Sequence, residues 1–183
     1  MVRNRPADLV TLTRVALACV LAVLVVDAAL GGAASAAIVP LAVVALLLDA
    51  VDGWVARATG TASAFGARFD GEADAFLLLV LSVHVAGSSG GWVLAIGIYR
   101  YAFAAAGWMW PWLRCELPFR YWRKVVTAVQ GIVLVVAAAE VLPRSPTYAA
   151  LVAALALLTE SFGRDIVWSW RHRAAAPALV PVR

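Results

Sequence analysis

The chain has 183 residues, 64% hydrophobic and only 14% charged, with a formal net charge of +4 and a mean hydropathy of +0.89. A soluble domain carries roughly 25% charged residues, so this composition excludes an ordinary soluble fold and points to a single polytopic membrane domain over residues 1–183. The small basic excess is no argument for nucleic acid in so apolar a chain, since basic residues flanking apolar spans set topology, and the distant Cys19 and Cys115 suggest neither a disulfide framework nor a zinc site.

Six apolar segments follow in chain order. The first, Leu9–Leu30, has a basic start and a small-residue end, the outline of a secretory signal peptide. At about 20 residues it is also long enough to cross a hydrocarbon layer of about 30 Å, and a retained first helix is expected. The others are Ala34–Val55, Phe69–Ala86, Trp92–Trp112, Val125–Val141 and Tyr148–Trp170. "GGAAS", "GSSGG" and "LPRSP" punctuate alternate junctions as turns, while "ARATGTASAFGAR" and "LRCELPFRYWRK" are charged connections.

The first set of loops holds one basic residue, Arg144. The second set, with both termini, holds Arg3, Arg5, Arg57, Arg68, Arg114, Arg120, Arg123, Lys124, Arg171, Arg173 and Arg183. The positive-inside rule then puts both termini in the cytoplasm. Tryptophans such as Trp92, Trp112 and Trp170 lie near segment ends, where interfacial rings prefer to sit. Because lipid-exposed backbone must satisfy its own hydrogen bonds, the expected fold is an all-α integral membrane protein with six transmembrane helices.

Acidic residues interrupt this pattern. After Asp74 the apolar run Ala75–Ala86 supplies only about 18 Å of helix. The helix must therefore continue back through Asp74 and Asp70 toward Gly66. The run Ala36–Leu48 likewise ends at Asp49, and its helix is expected to continue through Asp52. Asp49 and Asp52 are spaced i, i+3, and Asp70 and Asp74 i, i+4, so each pair occupies one helix face. The two helices are joined by a short connection, so the faces can meet. Four converging carboxylates would repel one another. Hard divalent cations such as magnesium, manganese or calcium would relieve this, and two of them about 4 Å apart would suit phosphoryl chemistry. Gly53, Ala56 and Gly66 leave room beside the acids. The bland alternative is a set of solvated loop acids paired with Arg57 and Arg68, but ionisable groups at helical spacing between apolar runs read as functional.

These residues carry a resemblance. Asp49-x-x-Asp52-Gly53-x-x-Ala56-Arg57, eight residues, then Gly66-x-x-x-Asp70-x-x-x-Asp74 resembles the signature of the CDP-alcohol phosphotransferase family, also called CDP-alcohol phosphatidyltransferases. Asp8-x-x-Thr11-x-x-Arg14 is similar to the family's opening Asn-x-x-Thr-x-x-Arg, with Asp8 in place of Asn. Lys124-x-Val126-Thr127-x-x-Gln130 is similar to its Lys-x-Lys-Thr-x-x-Gln, with Val126 in place of the second Lys.

The resemblance implies a transferase in phospholipid biosynthesis, moving a phosphatidyl-type group from a CDP-linked lipid such as CDP-diacylglycerol to an alcohol and releasing CMP. It implies that Asp49, Asp52, Asp70 and Asp74 hold two divalent cations, Mg2+ or Mn2+, and that Asp74 is also the general base. It further implies that Asp49, Gly53, Ala56, Arg57 and Gly66 bound the nucleotide pocket and that the chain is a homodimer; the loop charges place the site on the cytoplasmic side of a bacterial-type cytoplasmic membrane.

Charged residues outside the signature suggest the acceptor. Arg100, Lys124 and Arg164 are read as a basic pocket for an acceptor phosphate or carboxylate, and Arg68, inside the signature, as in reach of substrate. The competing readings are internal pairing of Glu160 with Arg164 at i, i+4, and helix capping by Arg68 and Glu72. Asp165 lies in the same stretch as Arg164, and the lone His84 reads as structural. "DGEAD" departs from the "DSxAD" and "DPxAD" wordings of the serine-accepting and glycerophosphate-accepting branches, so this segment does not assign the acceptor; inositol phosphate, glycerol 3-phosphate and another polyol phosphate all stay open. The alternatives from other classes are an ion-coupled transporter using the buried carboxylates and a non-catalytic scaffold.

Overall fold

The computed structural model describes the backbone at residues 6–32, 35–59, 64–114 and 121–172, and the side chains at 13–32, 35–51, 71–110, 112–113 and 122–172. The described residues form six α-helices and no strand: α1 (Pro6–Ala29), α2 (Ser35–Thr59), α3 (Ala64–Ser89), α4 (Leu94–Met109), α5 (Tyr121–Ala138) and α6 (Arg144–Arg171). Among them one stretch, Gly71–Ser89, is both long and apolar enough to cross a membrane, and Ser35–Val51 is a shorter apolar helix.

The helices follow the apolar segments, and α2 and α3 run on through the acidic positions. The fourth segment differs from expectation. Instead of one helix over Trp92–Trp112, a 3₁₀ turn at Gly91–Val93 leads into the 16-residue α4, and a second 3₁₀ turn follows at Pro111–Arg114. Pro111 explains the stop, because a proline pushes the residue before it out of the α region. Trp110 is accordingly extended, at φ −120° and ψ 96°.

Helix α1 packs on both α2 and α3, α3 also meets α4 and α5, and α5 pairs with α6. Each interface is a stripe at helical spacing. In α1 the buried residues are Arg14, Ala18, Leu21 and Val25, while Val20, Val23 and Val26 face outward. In α2 they are Ile38, Ala42 and Ala45, and in α3 they include Leu77, Leu81 and Val85. Two glycines allow close approach. A Cβ on Gly97 of α4 would stand 2.5 Å from the Leu79 Cα of α3, and one on Gly131 of α5 would stand 2.9 Å from Leu46 of α2.

Candidate functional site

The stripes that build the core also deliver the charges. Four residues beyond Ala45 on the α2 stripe is Asp49, and three before Leu77 on the α3 stripe is Asp74; the α1 stripe begins at Arg14. By position, Arg14 is about 12 Å from the start of α1, Asp74 about 15 Å from the start of α3, and Asp49 about 15 Å from the end of α2. Antiparallel packing therefore brings all three to one level of the bundle.

They meet there. Nη2 of Arg14 lies 2.8 Å from Asp49 Oδ1, and the same nitrogen donates a hydrogen bond to Asp74 Oδ1. The arginine side chain is 3% exposed, against 34% for Asp49 and 23% for Asp74. Two acids from separate helices thus converge on one buried cation and stay partly open themselves. The faces of α2 and α3, expected to meet directly, are bridged at Asp49 and Asp74 by Arg14 of α1. Sequence reasoning assigned Arg14 no role, although its place at the head of the stripe Ala18–Leu21–Val25 was a usable signal.

Asp52, Gly53, Ala56 and Arg57 lie on α2, and Gly66, Arg68 and Asp70 on α3; their side chains are outside the described residues. Among the described residues no group of three or more His, Cys, Asp or Glu gathers as a metal set. The donors present nonetheless suit a hard divalent cation. They are carboxylate oxygens, and Asp49 and Asp74 already share one positive neighbour.

The basic residues divide between two other places. Arg100 pairs with Glu72 at 2.5 Å, with both side chains about half exposed, beside a cavity of about 230 Å3 walled by Tyr101, Phe103 and Phe162. Arg164 pairs with Glu160 one turn before it, and Glu160 also accepts a 3.1 Å hydrogen bond from the Trp122 indole. Arg164 lines a different cavity of about 580 Å3 with Arg123, Asp165, Trp168 and Arg171. There the buried Asp165 stands 3.5 Å from Arg123 Nε. Arg100 and Arg164 are therefore not brought together. Arg123 and Arg171, read in the sequence only as topology-setting charges, share the cavity of Arg164. Lys124 is exposed on the first turn of α5. Lower on α5, the fully buried Gln130 donates to the Ala154 carbonyl at 2.8 Å and ties α5 to α6. His84 is partly buried on α3.

A family model described as CDP-alcohol phosphatidyltransferase matches residues 5–162. Searches of curated proteins and of solved structures found no match.

Proposed function

The chain belongs to the CDP-alcohol phosphatidyltransferase family, and from that premise we propose that it transfers a phosphatidyl group from CDP-diacylglycerol or a similar CDP-linked lipid to a polyol phosphate, with release of CMP. The observation that carries this reading is the convergence of Asp49 and Asp74, from two separate helices, on the single guanidinium of Arg14. It supports a compact acidic centre assembled from both halves of the signature.

In this reading Asp49, Asp52, Asp70 and Asp74 hold two divalent cations, in keeping with the metal dependence general in the family. When bound, those cations would neutralise pyrophosphate charge and polarise the phosphoryl oxygens. Asp74 takes the proton of the acceptor hydroxyl, since an alcohol is a poor nucleophile without a base within reach. The acceptor oxygen forms the new bond to phosphorus, the bond to the CMP oxygen breaks, and CMP leaves with the electron pair. Gly53, Ala56 and Gly66 leave backbone room for the nucleotide, and Arg57 offers positive charge to its phosphates.

The cavity of Arg123, Arg164 and Arg171 supports an anionic acceptor, such as inositol phosphate or glycerol 3-phosphate, with Lys124 nearby in sequence. Arg68 is kept as a substrate contact, and Arg100 as a weaker acceptor candidate because Glu72 already holds it. The basic-residue asymmetry of the loops supports six spans, both termini in the cytoplasm and a site on that side of a cytoplasmic membrane. Packing of α1 on α2 and α3 supports its retention as the first span. The homodimer rests on family likeness, and the particle mass in detergent tests it. An ion-coupled transporter finds no support in these observations.

The deciding experiment is an acceptor screen. Purified protein with Mg2+ or Mn2+ and CDP-diacylglycerol is offered candidate polyol phosphates, and CMP is measured. CMP formation that needs one acceptor and stops with EDTA is the expected result. No CMP with any acceptor or CDP-linked donor overturns the reading.

A further inference from the structure

Arg14 is costly where it stands. A buried guanidinium needs full compensation, and well-packed apolar residues in place of a buried ion pair are often as stable or more so. The other buried positions of the stripe, Ala18, Leu21 and Val25, are apolar. Packing alone calls for no charge at its head; the two carboxylates it faces do. One nitrogen bridges Oδ1 of Asp49 and Oδ1 of Asp74, which keeps those oxygens within about twice a hydrogen-bond length of each other. Like charges on separate helices would otherwise swing apart.

The exposures give the arrangement a direction. The guanidinium is 3% exposed, and the carboxylates are 34% and 23% exposed. A ligand arriving from outside reaches the acids before it reaches the arginine.

We infer that Arg14 is a positioning residue, a guanidinium floor that holds Asp49 and Asp74 converged so that a divalent cation can bind on their open side. This rests on the two-cation reading above and adds a residue of α1 to it. Groups behind metal ligands that fix ligand orientation commonly contribute 10–100-fold in affinity. Arg14 stays in place when the cation binds and is not displaced by it.

The test measures Mn2+ binding by electron paramagnetic resonance on purified protein in nanodiscs, with thermal unfolding in EDTA alongside. Three variants are compared with the wild type: Arg14→Gln, Arg14→Lys and Leu21→Ala. Leu21 lies on the same stripe and is 1% exposed, so its truncation loosens α1 without touching the acids. Arg14→Gln is expected to raise the Mn2+ dissociation constant about 10–100-fold. Arg14→Lys, with a point charge in place of a planar fork, should fall between Arg14→Gln and wild type. Leu21→Ala should unfold earlier with its Mn2+ affinity unchanged. Mn2+ binding by Arg14→Gln as tight as wild type, or tighter, overturns the inference, as does an equal loss in Leu21→Ala. If Arg14→Gln does not fold, Arg14→Lys decides in the same way. No Mn2+ binding by the wild type overturns the two-cation reading and this inference with it, an outcome distinct from wild-type binding that Arg14→Gln retains.

Discussion

The Arg14 centre and the α5–α6 cavity are built alike with opposite signs. In the first, a buried arginine lies beneath two partly open aspartates. In the second, the buried Asp165 stands beside Arg123, and Arg164 and Arg171 line the same cavity. In both, a core stripe continues into a charged residue, and that residue is surrounded by the opposite sign. A buried charge is tolerated only when paired, so each buried ion recruits its partners. The difference lies in the charge left over. The first centre retains negative charge and suits cations; the second retains positive charge and suits an anion. The function proposed above, with a metal-bound pyrophosphate donor and an anionic acceptor, would use both.

The largest effect should come from the acidic side. Asp74→Asn is expected to lower the rate of CMP release about 10²–10⁴-fold, the usual contribution of a general base, and to unfold earlier than wild type because the buried Arg14 loses one of its two carboxylate partners, so CMP release is compared below the variant's unfolding temperature. Retained activity would remove Asp74 from the chemistry and break the division of labour.

Next is Asp165→Asn. Removing one partner of a buried pair costs about 3–5 kcal/mol when both ions are deeply buried. Arg123 is about one-third exposed, so a loss of about 1–3 kcal/mol is expected, read from denaturant unfolding in mixed micelles. The cavity becomes more positive, so KM for an anionic acceptor should not rise.

Arg164→Gln should do the reverse. KM for the anionic acceptor is expected to rise about tenfold for the loss of one charge-assisted contact, with kcat and Mn2+ affinity held. Stability should barely change, because its pair with Glu160 is largely exposed. A fall in kcat with constant KM would move Arg164 from acceptor binding to the chemistry.

The smallest effect is expected for Arg100→Gln. Its contact with Glu72 joins two half-exposed side chains, and exposed pairs contribute about 0–1 kcal/mol. Unfolding should stay close to wild type, and acceptor KM should rise less than for Arg164→Gln. A large rise in KM would make the cavity of Tyr101, Phe103 and Phe162 part of the acceptor site and undo the two-centre contrast.

Much of this protein could be read from one dimension. Bilayer thickness and the short apolar runs beside Asp49 and Asp74 required α2 and α3 to run on through the acids, and they do. Helical spacing placed those acids on defined faces. The four-aspartate signature and the match over residues 5–162 name the same family. These features are legible because length, periodicity and motif spacing are local properties of a chain.

Only the tertiary structure decided which faces meet. It set α1 against both α2 and α3, so that Arg14 bridges Asp49 and Asp74, and it sent Arg100 to Glu72 while Arg164 joined the cavity of Arg123 and Arg171. Periodicity tells which side of a helix is buried but not what covers it, because the choice of neighbour depends on packing between segments far apart in sequence. Gly97 and Gly131 take part in that choice through helix contacts that no sequence spacing reveals.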